Sequence, residues 1–294
     1  MNYRHAYHAG NFADVLKHAV LALVISYLKK KDAPFRVIDT HAGCGRYALD
    51  SVEAGKTREW EGGIGRLLGP DAAPLSRDVA QALAPYLDAV RAENPPGQLL
   101  HYPGSPLIAR RLLRQQDRLI ANELHPVDGI QLKQAIGRDP RAKVLALDGW
   151  VALKSLLPPK ERRAIVLIDP PFEKDDELVR LAEGIAAGLH RFSTGVFAAW
   201  LPIKDRKPVS QFYERLRALA SVYDTLRIEL LLRNPAGSPQ RLNGCAMIVV
   251  NPPYELERQL TVILPELAAR LGGESGFATV TRALQVDAGP KRVQ

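Results

Sequence analysis

Apolar positions along this chain fall into two alternating periods. Ala13, Leu16, Val20, Leu23, Val24 and Leu28 recur every three or four residues, which predicts a helix. Asn11 stands where an N-cap belongs, and Lys29, Lys30 and Lys31 place positive charge at the helix's C-terminal end. After Pro34, the run Phe35 to Asp39 reads as a buried strand entering a glycine-containing loop. Further apolar runs predict strands over 119–124, 144–147, 164–168, 195–201, 225–232 and 245–250. Helical spacing appears over 106–118, 129–136, 176–189 and 209–219. Continuous apolar strands alternating with helices predict an α/β fold: a seven-stranded, mostly parallel sheet covered on both faces.

The rhythm breaks between Tyr47 and Gly97. No strand is legible there, helical patterning surrounds 76–93, and Pro95-Pro96-Gly97 ends it. This predicts a small helical subdomain, 52–98, inserted in a main domain formed by 1–51 and 99–294. The chain returns to the main domain near His101, and the tail 286–294 is expected to fray.

Composition narrows the function classes. Of 294 residues, 46% are hydrophobic and 24% charged, which supports a packed core and argues against global disorder. No apolar run is long enough for a bilayer, and the start lacks a signal-peptide core, so a cytoplasmic protein with no membrane partner is expected. Cys44 and Cys245 are too few for a disulfide framework or a zinc cluster. Lys and Arg number 40 against 32 Asp and Glu, a formal charge of +8 that favours a polyanionic partner without saying which.

The strongest chemical signal is Ile165-Val166-Leu167-Ile168-Asp169-Pro170-Pro171-Phe172. An apolar strand delivers a carboxylate into a stiff Pro-Pro turn followed by an aromatic. An amino group on a heteroaromatic ring is a weak nucleophile, because its lone pair is delocalised. Two acceptors on its two N–H bonds, the Asp169 carboxylate and the Pro170 carbonyl, would localise that lone pair, and Phe172 could stack on an extruded base. The alternative is a strand cap with Phe172 in the core. Asn251-Pro252-Pro253-Tyr254 repeats the pattern. Ligands of open α/β sheets bind at the carboxyl ends of the parallel strands, and in a methyltransferase-like order the last strand is antiparallel, so Asp169 is favoured over Asn251.

Asp39-Thr40-His41-Ala42-Gly43-Cys44-Gly45 ends the first strand with an acid and close-set glycines, a loop that lets a ligand approach the backbone. Gly43 to Ala48 also fits the dinucleotide fingerprint of an oxidoreductase. That reading wants a ribose-binding acid at a strand end about 20 residues on. The acid that does end a strand is Glu123, much later, and an insertion between the first two strands explains the gap. Asp148-Gly149 ends the third strand, where the carboxylate either accepts from a cofactor adenine or starts a turn. His5, His8, His18 and His41 lack the spacing of a metal site.

Together these segments resemble the ribosomal RNA large subunit methyltransferase J family, over essentially the whole chain. The residues that carry the resemblance are Tyr3 to His18, Asp39 to Gly43, Tyr102-Pro103-Gly104-Ser105-Pro106, Asn122 to Pro126, Asp148-Gly149 and Asp169 to Phe172. It implies a class I (Rossmann-like) methyltransferase fold that transfers methyl from S-adenosylmethionine to N6 of an adenine, position 2030 of 23S rRNA. His18, His41, Ser105, Glu123, Asp148, Gly149 and Asp169 would hold the cofactor, with no metal. Asp169 would orient and deprotonate the amine, while Tyr3, Pro170 and Phe172 would face the substrate. Phe172 departs from a tyrosine common in the family. The implied partner is 23S rRNA before the subunit is fully assembled, met by a monomer. Lys56, Arg58, Arg110, Arg111, Arg114, Lys204, Arg206 and Lys207 are candidate phosphate contacts. Competing readings are methylation of DNA adenine or protein glutamine, an RNA-binding protein without turnover, and the oxidoreductase.

Overall fold

A computed structural model describes residues 5–237 and 241–282; Tyr3 and the tail 286–294 lie outside them. The strands are β1 (Arg36–Asp39), β2 (Arg46–Ala48), β3 (His101–Pro103), β4 (Arg118–Asn122), β5 (Ala142–Leu145), β6 (Ala164–Ile168), β7 (Val196–Ile203), β8 (Thr225–Leu231), β9 (Gly244–Val250) and β10 (Phe277–Arg282). The helices are α1 (Phe12–Leu28), α2 (Val52–Thr57), α3 (Gly65–Leu68), α4 (Arg77–Arg91), α5 (Ser105–Leu112), α6 (Pro126–Ile136), α7 (Gly149–Ser155), α8 (Glu177–Arg191), α9 (Arg206–Ala220) and α10 (Leu256–Gly272).

The main sheet runs β10-β8-β9-β7-β6-β1-β4-β5. Strands β5, β4, β1, β6 and β7 are mutually parallel, and β9 lies antiparallel between β7 and β8. This is the class I methyltransferase arrangement. From β1 the chain winds outward through β4 to β5, then crosses back to β6 on the other side of β1. That reversal makes the carboxyl ends of β1, β4 and β6 the natural ligand crevice. The sheet has eight strands where the apolar runs predicted seven. The additional strand, β10, is a half-exposed edge antiparallel to β8, and its mixed Thr-Val-Thr pattern carries no continuous apolar signal.

Alternation along each strand feeds two cores. Val37, Ile165 and Leu167 point to the face covered by α1, α4, α5 and α10, while Ile38, Val166 and Ile168 point to the face covered by α7, α8 and α9. Asn11 caps α1 as the sequence predicted, its side chain accepting from the amides of Ala13 and Asp14. Helix α1 is buried almost all round, because α4, α5 and α10 enclose the sides that the sheet does not. Helix α10 was not anticipated, since Pro265 interrupts its spacing of Leu256, Leu260, Ile263, Leu264 and Leu267.

Within 52–98 the structure forms α2, α3 and α4. The apolar face of α4, carrying Val79, Leu83, Tyr86, Leu87 and Val90, belongs to the same core as α1 and α10. Strands β2 and β3 bracket the insertion as a separate two-stranded ribbon. Among the described residues no helix is long and apolar enough to cross a membrane.

Candidate active site

A cavity of about 520 Å³ opens at the carboxyl ends of β1, β4 and β6. His18, His41, Ser105, Glu123, Asp169, Pro170 and Phe172 all line it, so most of the predicted site residues converge. Asp148 and Gly149 do not line it. The Asp148 carboxylate accepts from the amides of Trp150 (2.9 Å) and Val151 (3.1 Å), making it the N-cap of α7. Gly149 is needed beneath His41, since a Cβ there would lie 2.3 Å from the imidazole Nε2. His41 in turn lies edge-on to Trp150.

The β1 and β4 loops are tied into one wall. Asn122 donates to the carbonyls of Thr40 (3.0 Å) and Leu147 (2.8 Å) and accepts from the Leu147 amide. The Gly43 amide donates to Glu123 Oε2, and the His125 amide to Oε1, both at 2.8 Å. Burial pushes the Glu123 carboxyl upward despite those amides. Gly43 sits at φ +62°, and a Cβ there would meet the Tyr47 hydroxyl at 2.2 Å, so the loop needs glycine.

Burial also keeps two imidazoles neutral at pH 7, lowering His18 to about 3 and His41 to about 4. His18 Nδ1 lies 2.7 Å from the Tyr102 hydroxyl, which lies 3.0 Å from the hydroxyl of Tyr86 on α4. His18 Nε2 is buried without a hydrogen-bond partner among the described residues, which leaves one polar atom at the cavity wall for a ligand. Gly104 and Ser105 bring the positive end of α5 to the same wall, where a carboxylate would be stabilised.

On the opposite wall, β6 delivers Asp169. Lys17 Nζ donates to Asp169 Oδ2 at 2.5 Å and lies 2.8 Å from Asp14 Oδ1. Asp14 Oδ2 accepts from the Gly10 amide and lies 2.8 Å from His5 Nε2. Burial opposes the charge of both Lys17 and Asp14. Asp14 and Asp169 nevertheless hold the ammonium above the ordinary lysine value, and His5 and Lys17 hold the Asp14 carboxyl well below the ordinary aspartate value. Asp39 lacks such compensation: burial, with the Asp169 charge adding to it, raises its carboxyl to about 7 against the Ser105 hydroxyl and Lys17. Phe172 adopts φ +51°, and its ring meets Trp200 edge-on at 5.6 Å.

His5, Asp14, Lys17 and Trp200 were not singled out as site residues from the sequence. The legible signal was three ionisable residues, Asp14, Lys17 and His18, inside a helix that is otherwise apolar. Asn251 does not line the reaction cavity: its side chain donates to the carbonyls of Ser193 and Gly195, both at 2.8 Å, after antiparallel β9. Several candidate phosphate contacts have other partners. Arg110 donates to carbonyls at the end of α6, and Arg114 to Asp117 and carbonyls beyond α1. Arg58 pairs with Glu61, Arg206 pairs with Glu229, and Lys56 sits over the Tyr7 ring. Arg111, Lys204 and Lys207 are exposed, and Lys204 lines the cavity mouth. Among the described residues no cluster of His, Cys, Asp and Glu is placed to hold a metal.

Comparison with known proteins agrees with this geometry. The family model described as "Ribosomal RNA large subunit methyltransferase D, RlmJ" matches residues 32–283. A protein named ribosomal RNA large subunit methyltransferase J from Escherichia coli K12 is 44% identical, covering 96% of this chain and 98% of that protein. Its namesake from Haemophilus influenzae is 42% identical, with 92% and 94% covered. A solved Legionella pneumophila structure superposes with a TM-score of 0.84 at 32% identity, covering 94% of this chain and 98% of that one. The chain belongs to the ribosomal RNA large subunit methyltransferase J family.

Proposed function

We propose that this protein transfers the methyl group of S-adenosylmethionine to N6 of an adenine in 23S rRNA, at position 2030, working as a cytoplasmic monomer on rRNA not yet fully assembled. The observation that carries the reading is Asp169-Pro170-Pro171-Phe172 lining the cavity that Gly43 and Glu123 close from the other side. S-adenosylmethionine supplies an electrophilic methyl group on a sulfonium. The residues present fit it: Glu123 offers acceptors for ribose hydroxyls, the α5 N-terminus suits a carboxylate, and His18 Nε2 has no other partner among the described residues.

The target adenine leaves its stack, because a paired or stacked base hides N6 from in-line approach. Phe172, braced by Trp200, stacks on the ring. The amine donates one N–H to the Asp169 carboxylate and the other to the Pro170 carbonyl, which draws its lone pair towards the methyl group. Lys17 fixes the Asp169 carboxylate from behind, so its acceptor geometry is set before substrate arrives. The proton leaves through Asp169 or to water.

The test is transfer of labelled methyl from S-adenosylmethionine to protein-free 23S rRNA, with DNA and protein acceptors alongside. Label in N6-methyladenosine with wild type, and a loss of at least about 10²-fold in Asp169→Ala with retained cofactor binding, is expected. Label on DNA or protein instead would overturn the substrate, and full turnover by Asp169→Ala would overturn the mechanism.

A further inference from the structure

A second cavity, of about 360 Å³, lies on the same edge of the sheet, between the end of β8 and the start of β10. Its lining includes Arg206, Arg233, Asn234 and Phe277. The two cavities meet at consecutive residues of the β7–α9 loop. Lys204 lines the first and Asp205 the second, while Leu242 lines the first and Arg233 to Ala236, from the same β8–β9 connection, line the second. Strands about 4.8 Å apart put the end of β8 about 14 Å from the end of β6, a span of about two or three nucleotides of extended strand.

The chemistry of this second cleft differs from that of the first. Phe277 is a 57% exposed aromatic at the first position of an edge strand, where no core contact requires it. Arg233 has no hydrogen bond or ion pair among the described residues. Two of the acids nearby have partners, while Glu274, on the turn before β10, is exposed. Glu229 is neutralised by Arg206 at 2.7 Å and also accepts from the Tyr213 hydroxyl, while Asp205 caps α9 through the Lys207 amide. A free guanidinium beside an exposed ring, joined to the reaction cavity by exposed Lys204, matches how single-stranded nucleic acid is held: phosphates on cations and a base on an aromatic face.

We infer that the Arg233–Phe277 cleft binds a single-stranded nucleotide flanking the target adenine, with its phosphate on Arg233, its base stacked on Phe277, and Lys204 holding the intervening backbone. This rests on the RNA-methylation reading above and gives that substrate a direction across the protein, from β6 towards β10.

The test uses the full chain and a fluorescent single-stranded RNA that carries the target adenine with several nucleotides on each side. Anisotropy titrations over a range of salt are run beside methyl-transfer kinetics. Arg233→Glu is expected to weaken binding about tenfold and to reduce the slope of log affinity against log salt by about 0.7, the value for one phosphate on a single strand. Arg233→Lys restores that slope. Phe277→Leu loses about fivefold or more, and Phe277→Tyr retains affinity because it still stacks. KM for RNA rises by more than kcat falls. Wild-type affinity and slope in Arg233→Glu, or equal behaviour of Phe277→Leu and Phe277→Tyr, would overturn the inference while leaving adenine methylation intact. If wild type methylates no RNA, the functional reading fails and the binding arm still decides the cleft.

Discussion

Lys17 is the residue on which the site's electrostatics turn. Its buried ammonium joins Asp169 and the more deeply buried Asp14 along the cavity wall. Lys17→Met leaves two carboxylates without their cation. Urea unfolding is expected to show a loss of about 3–5 kcal/mol, the cost of an unpaired buried charge; a loss under about 1 kcal/mol would mean water screens the pair. Asp39 gives a pH-dependent prediction. Its carboxyl titrates near 7 in the folded chain and near 4 when unfolded, so the folded state binds the extra proton between those values. Stability from this group therefore falls as pH rises from about 4 to 7, by up to about 1.4 kcal/mol per pH unit, and is level above. His18 and His41, held at about 3 and 4, act oppositely below 6.5, so the informative quantity is the difference between proteins. Asp39→Asn should gain stability relative to wild type as pH rises through that window. A difference that does not vary with pH would show that Asp39 is ionised in the folded chain.

Strand direction separates the two Pro-Pro motifs more decisively than their composition does. Asp169 follows a parallel strand and lines the cavity, whereas Asn251 follows antiparallel β9 and binds two backbone carbonyls elsewhere. Asn251 also holds φ +54°, which Asn tolerates better than Ala. Asn251→Ala should lower stability by about 1–3 kcal/mol. Its kcat, measured at a temperature where it stays folded, should remain within about twofold of wild type, the range expected away from a site. A kcat loss on the order of that in Asp169→Ala would give the second motif a catalytic part.

Residues 52–98 contribute to more than the periphery of the molecule. Leu83 of α4 is fully buried in the core shared with α1 and α10, and Tyr86 reaches the His18 wall through Tyr102. Leu83→Ala should cost about 2–5 kcal/mol. Circular dichroism and tryptophan fluorescence should still follow one coincident guanidinium transition. Two separated transitions would make 52–98 an independent folding unit.

Legibility followed the range of the interaction. The alternation of strands and helices, the Asn11 cap, the glycine turn after β1 and the Asp-Pro-Pro turn after β6 are local consequences of neighbouring residues, and sequence reasoning reached each of them. Glu123 was legible as the acid that ends a strand, and the structure places it in the cavity wall against the Gly43 amide. Edge elements were not: β10 and α10 have weak or interrupted patterns and form because the rest of the sheet offers them a surface. Nor could periodicity reveal that Lys17 meets Asp169, that Asp148 has its oxygen on the α7 amides, or that Arg114 has carbonyls for partners. A side chain's type and neighbours along the chain establish what it can bond to. Only packing between elements far apart in sequence settles which partner comes within reach, and a buried charge shows the difference most sharply, because away from water it depends on the partner that the fold supplies.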